Sequence, residues 1–297
     1  MRNFDIRELA RKTARAPRVA VAGPLASTYV PDALQVEDPP IVRVFTPQEA
    51  RELIRRQLRE APDLTKIWFI HRPGDDLSEQ VEIVEAAIEE SHAGGVLSAV
   101  HATQLEVAKA AVRAGADVLV HSVSDLPVDD EFIELLKEND VLYTSTLVVS
   151  EGYREVLNQE VDLLDVERKL GDPEVIETWS VLDHIPHDEI PGGLRRRQVP
   201  EGRPVTFDNL KRLQKAGVRV VGATDAGNIG TLHGPSLFRE FDLMQKAGLA
   251  PMEILIAATR NAAAVMGKED DLGILEVGKY ADLVILDADP LEDILNT

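Results

Sequence analysis

From residue 66 onward the sequence alternates short β-branched runs with longer helical stretches, and this alternation leaves few folds open. K-I-W-F-I (66–70), V-L-S-A-V-H (96–101), D-V-L-V-H (117–121), V-L-Y-T-S-T-L (141–147) and V-R-V-V-G-A (218–223) have the length and composition of buried strands. Helical patterns follow over 77–92, 103–114, 129–138, 235–247 and 251–266, and another precedes the last strand at 206–216. Repeated strand–helix units give a parallel sheet with helices packed outside it. Upstream, 3–15 predicts a short helix, R-V-A-V-A (18–22) a sixth strand, and 25–46 a proline-marked loop. Thr46, Pro47 and Glu49 then supply an N-cap, a first-turn proline and a capping-box acid for the next helix. The strand at 141–147 leads into a long, mostly helical insert reaching about residue 190. In the tail, 272–287 predicts two short strands joined around Gly278 and Lys279; a lone pair is marginal in water, and the sequence offers them no partner sheet.

The chemistry concentrates where these strands end. V-R-V-V-G-A-T-D-A-G-N-I-G-T-L-H (218–233) carries Asp225 just past a strand, then a loop with Gly227 and Gly230 leading to His233. His101 and His121 close two other strands, and Lys66 opens a third. In an α/β barrel, strand C-termini share one rim, so all four side chains are expected there. Two imidazoles and a carboxylate are donors for zinc and related divalent ions and leave a position for water, whose proton a carboxylate can accept. Lysine joins such a set only when uncharged: burial lowers its pKa, and carbon dioxide can trap the free amine as an anionic carbamate. Each residue also has a plain structural reading: Asp225 as a turn cap, the histidines as rim or core side chains, Lys66 as a solvated flank.

Composition narrows the partners. With 52 acidic against 32 basic residues the net charge is −20, and no basic stretch offsets it, which argues against nucleic acid and anionic membranes. The absence of cysteine excludes disulfides and thiolate zinc sites. No apolar run reaches membrane-span length, and the first residues lack a secretory leader's apolar core, so the chain as given is expected in the cytoplasm.

Several blocks resemble the amidohydrolase superfamily, in its imidazolonepropionase-like and Xaa-Pro dipeptidase-like branch. They are D-L-T-K-I-W-F (63–69), S-A-V-H-A (98–102), A-G-A-D-V-L-V-H-S (114–122), G-A-T-D-A-G (222–227), H-G-P-S-L-F-R-E-F (233–241), A-T-R-N-A-A-A-V-M-G (258–267) and L-G-I-L-E-V-G-K-Y-A-D-L-V-I-L-D-A-D-P-L (272–291). The resemblance implies a metal-dependent hydrolase that cleaves an amide, peptide or cyclic-amide C–N bond with metal-activated water, on a distorted (β/α)8 barrel of the TIM type. It implies that Lys66 is a carboxylated metal-bridging lysine, that His101 and His121 ligate the second metal, most simply zinc, and that Asp225 is both ligand and proton shuttle. His233 would lie near a small-molecule or short-peptide substrate, and Tyr143 on the next strand is a further candidate contact.

The sequence also departs from that pattern. It contains no His-x-His, the family's first-strand signature, and His184 and His187 read as surface residues of the insert. Counting back from Asp225 gives six strands with 18–22 third of eight, so the expected barrel (1–267) lacks its first two strands. Residues 268–297 are then the C-terminal strands of a small β-sandwich. One alternative is a truncated or degenerate barrel without catalysis, a binding or oligomer-forming remnant, since open sheet edges favour association into a homo-oligomer. The loops 24–46 and 148–205 would select the substrate; the run Arg195, Arg196, Arg197 there suits a substrate carboxylate or a solvated surface.

Overall fold

Among the described residues, seven short strands, all parallel, form a single sheet in the order β2-β1-β3-β4-β5-β6-β7. They are β1 Leu25–Ser27, β2 Ile41–Arg43, β3 Leu64–Trp68, β4 Leu97–His101, β5 Val118–Val120, β6 Leu142–Ser145 and β7 Val220–Gly222. The structure is a computed structural model describing residues 2–31, 39–184 and 204–297. Helices α1 Arg2–Lys12, α2 Pro47–Leu58, α3 Leu77–Ala93, α4 Leu105–Arg113 and α5 Asp130–Glu138 alternate with the first strands. α6 Leu147–Asn158, α7 Asp165–Leu170 and α8 Pro173–Thr178 lie in the insert after β6. α9 Val205–Lys215, α10 Ser236–Ala247, α11 Pro251–Ala258 and α12 Arg260–Val265 flank β7.

Local sequence accounts for the helix starts. Thr46 accepts from the Glu49 amide at the head of α2, with Pro47 in its first turn, while Asp76 and Asp129 cap α3 and α5. The main core lies between sheet and helices, where Ile67, Val100, Leu119, Tyr143 and Val220 meet Leu53, Ile54, Val84, Ile88 and Met244. Each such large side chain contributes about 1.5–3 kcal/mol when buried. A smaller cluster covers the other face: Ala99, Val118, Leu142 and Val221 pack against Ala264 of α12.

Three expectations need correction. Residues 18–22 form no strand; the pairing falls on β1, five residues or more later, where Leu25 to Ser27 match Ile41 to Arg43 and Ala26 and Ser27 match Ile67 and Trp68. The 25–46 segment therefore holds two strands instead of one loop, and β2 adds a seventh strand beyond β1. The tail strands of 272–287 do not form: Leu275, Val277, Val284 and Ile285 are exposed and pair with none of the described strands, and two short strands alone are marginal in water. Among the described residues β2 and β7 each have a strand on one side only. His187 and Arg195 to Arg197 lie outside the described residues.

Candidate active site

Sheet register brings His101, His121 and Asp225 together at the C-terminal edge. His101 is the last residue of β4 and pairs with Trp68 on one side and Val120 on the other. Lys66 pairs with Ala99, two residues deeper, so it forms the floor of the site and is not on the rim as expected. His121 follows β5 immediately. Val118 and Val120 face the inner cluster, so strict alternation would turn His121 toward the helices with Leu119. Its φ of 77° breaks the alternation and leaves its ring centroid 4.6 Å from that of His101. Asp225, three residues past β7, also has positive φ (51°). Such backbone costs energy in a non-glycine residue and persists where the surroundings enforce it.

The polar atoms are arranged as a set of donors. His121 Nδ1 lies 2.7 Å from Thr146 Oγ1, and its Nε2 lies 3.7 Å from Asp225 Oδ2, beyond hydrogen-bond reach. The Asn228 amide donates to both Oδ2 (2.8 Å) and the backbone oxygen (2.9 Å) of Asp225, and the Tyr153 hydroxyl donates to Asn228 Oδ1. Lys66 keeps some exposure along the residue, but its Nζ is buried without a hydrogen-bond partner, as is His101 Nδ1. Burial lowers the Lys66 pKa to about 7, the Asp225 charge acting against it. Burial, then the charges of His121 and Lys66, lowers His101 to about 2; burial and Lys66 lower His121 to about 3. At neutral pH both rings are therefore uncharged, as donation to a metal requires. Among the described residues no three His, Cys, Asp or Glu side chains already converge on one ion position. Buried, partnerless Lys66 Nζ and His101 Nδ1 nevertheless make the donor chemistry fit a divalent cation.

Above these residues opens a pocket of about 440 Å³. Trp68, Ile70, Leu147 and Val149 give it an apolar wall, and Thr103, Ser122, Ser124, Ser150, Tyr153 and Thr206 a hydroxyl-bearing one. Trp68 stands edge-on to His101 with centroids 5.9 Å apart. Two expected substrate contacts are elsewhere. Tyr143 is fully buried on the helix side of β6, its hydroxyl accepting from the Val123 amide at 2.7 Å, and burial pushes its pKa up to about 12. His233 is exposed and lies against Gly227, outside the pocket lining. Trp68, Thr146 and Asn228 also line the pocket, beyond the residues that the sequence motifs point to. Only Trp68 had a signal, its two-residue spacing from Lys66 on one strand.

The amidohydrolase family model matches residues 36–297. The chain belongs to the amidohydrolase family. Among curated relatives, ochratoxinase of Aspergillus niger is 26% identical over 257 residues, covering 83% of this chain and 45% of that protein. The chain thus spans less than half the length of that relative. Imidazolonepropionase of Symbiobacterium thermophilum is 64% identical over a 39-residue stretch, 13% of this chain and 9% of that one. Among solved structures, a Xaa-Pro dipeptidase with bound methionine superposes with a TM-score of 0.68 at 23% identity, covering 99% of this chain and 68% of that chain. A. niger ochratoxinase superposes at 0.61 and 23%, covering 91% and 55%. These likenesses show the fold, a parallel α/β sheet consistent with the TIM-type barrel of amidohydrolases.

Proposed function

We propose that this amidohydrolase chain carries the half-site of a metal-dependent hydrolase that cleaves C–N bonds of amides or short peptides. The observation behind this reading is the pair of neutral imidazoles, His101 and His121, over a buried, partnerless Lys66 amine and beside Asp225. His101, His121 and Asp225 would hold the ion, with zinc the simplest choice for such donors. Lys66, whose pKa of about 7 frees its amine near neutrality, can take up carbon dioxide and join them as a carbamate. A divalent ion held there would supply the positive charge needed to polarise a substrate carbonyl and a water. Asp225 accepts the proton lost by the attacking water and delivers it to the leaving nitrogen, giving a carboxylic acid and an amine. The apolar wall around Trp68 holds the substrate's hydrocarbon part, and the hydroxyl-bearing wall orients its polar atoms.

The test is the metal content of the purified chain, by elemental analysis, for wild type and for His101→Ala/His121→Ala. Near-stoichiometric metal that the double variant loses is expected, followed by hydrolysis within a panel of acyl amides and dipeptides that Asp225→Asn abolishes. Folded protein without metal in either form would instead favour a non-catalytic binding remnant, the reading for which the one-sided strands β2 and β7 speak.

A further inference from the structure

Glu240 is a fully buried carboxyl that the proposed chemistry does not use. It projects from α10, on a helical stripe that it shares with buried Ser236, Leu243, Met244 and Ala247. α10 packs against α6 and β7, on the helix side of the sheet. From there Glu240 reaches the end of β6: Ser145 Oγ donates to its Oε1 at 2.7 Å, and the Val148 amide donates to its Oε2 at 2.8 Å. Both contacts grip the corner where β6 becomes α6, and the Val148 amide belongs to the first turn of that helix, where backbone amides lack helical partners. Between Ser145 and Val148 stands Thr146, whose Oγ1 meets His121 Nδ1 at 2.7 Å. Thr146 itself makes no side-chain cap bond to α6, so its hydroxyl faces the histidine.

We propose that Glu240 and Thr146 form a positioning relay for His121. Glu240 fixes the β6–α6 corner, the corner presents Thr146, and Thr146 Oγ1 sets the ring orientation of His121 and leaves Nε2 toward Asp225. A partner on the second ring nitrogen is what fixes tautomer and orientation in a donor histidine. The relay rests on the hydrolase reading only for its purpose; the contacts themselves exist without metal. Glu240 is thus a positioning residue two contacts removed from the ring, and it works from behind the sheet.

The experiment is long-range 15N–1H correlation spectroscopy of the His121 ring in metal-free protein, assigned by its loss in His121→Ala. Wild type is expected to give one defined tautomer, and Thr146→Ser, which keeps the hydroxyl, to reproduce it. Thr146→Val and Glu240→Leu are expected to change the tautomer ratio, whereas Glu240→Gln, able to accept from Val148 and donate to Ser145, stays close to wild type. If Glu240→Leu does not fold, Ser145→Ala removes one of the two contacts that Glu240 makes with the corner and is expected to move the ring in the same direction by a smaller amount. Unchanged His121 signals in folded Thr146→Val overturn the relay, and unchanged signals in Glu240→Leu or Ser145→Ala overturn the role of Glu240. A second arm measures zinc affinity by chelator competition, with a loss of about 10–100-fold expected for Thr146→Val. Wild type that binds no zinc but shows the ring response keeps the relay and refutes only the hydrolase reading.

Discussion

A carboxyl buried without a cation holds its proton to higher pH, and Glu240 does so from an ordinary 4.5 to about 7, with hydrogen bonds from Val148, Ser145 and Leu147 opposing the shift. Between those values the folded chain keeps a proton that the unfolded chain has lost. Its stabilising contribution is therefore complete below about pH 4.5 and lost as pH rises through about 7. His101 and His121 act with the opposite sign, because their lowered values make stability rise with pH up to about 6.5. The comparison must then be between wild type and Glu240→Gln, whose histidine contributions cancel. Urea unfolding at pH 5 and pH 8 is expected to show Glu240→Gln gaining on wild type at the higher pH by on the order of 2–3 kcal/mol. An equal difference at both pH values would mean that Glu240 titrates normally. At this scale the sequence was a fair guide to rim residues, because a histidine or aspartate ending a strand has one rim to reach. It misplaced Tyr143 for a parity reason: Leu142 packs on the inner face, so its neighbour turns to the helices. Glu240 was unreadable because a glutamate in the middle of F-R-E-F looks like a solvated helix position until the packing of α10 is known.

Among the elements, the loop from Asp225 to His233 depends on glycine where backbone meets backbone. Gly230 has φ of 76°, and a Cβ there would fall 2.5 Å from the Gly152 Cα of α6. No side-chain movement can relieve that contact, so Gly230→Ala must displace either the loop or the helix. Gly217, with φ of 81° and nothing within 4 Å of an added Cβ, supplies the control with backbone strain alone. Gly217→Ala is expected to cost about 1 kcal/mol in chemical unfolding. Gly230→Ala is expected to cost more and, because the loop carries Asp225, to lower bound metal, which Gly217→Ala leaves unchanged. Equal costs and unaltered metal content in both variants would show that the loop is not pinned at this point. Elements between 46 and 158 were legible in outline because apolar periodicity and caps agreed there, as at Thr46 and Asp129. The first strand was misplaced because R-V-A-V-A has strand composition, whereas pairing, which composition does not reveal, falls on Leu25 to Ser27.

For the whole molecule, two opposing forces would set any self-association. Strands β2 and β7 are paired on one side only among the described residues, and the tail leaves Leu275, Val277, Val284 and Ile285 in solvent. Open edges and clustered exposed apolar groups draw copies together. Against this stands a net charge of −20, which makes every copy repel every other. Repulsion between surface charges is screened over about 10 Å at 0.1 M salt and 3 Å at 1 M, while apolar contact is not weakened by salt. Self-association is therefore expected to rise with ionic strength, the reverse of what attraction between opposite charges would give. Sedimentation velocity at 20 mM and 500 mM sodium chloride would measure it, for wild type and for Val277→Thr/Val284→Thr/Ile285→Thr. Threonine keeps the β-branched shape and replaces a methyl or ethyl group by hydroxyl, so the triple variant should stay smaller at high salt if the tail drives association. If it associates like wild type, the sheet edges are responsible, and a lysine placed at Val42 on β2 becomes the variant that should block it. A mass that falls with salt would instead mean that complementary charge holds the copies together, and would overturn the apolar account.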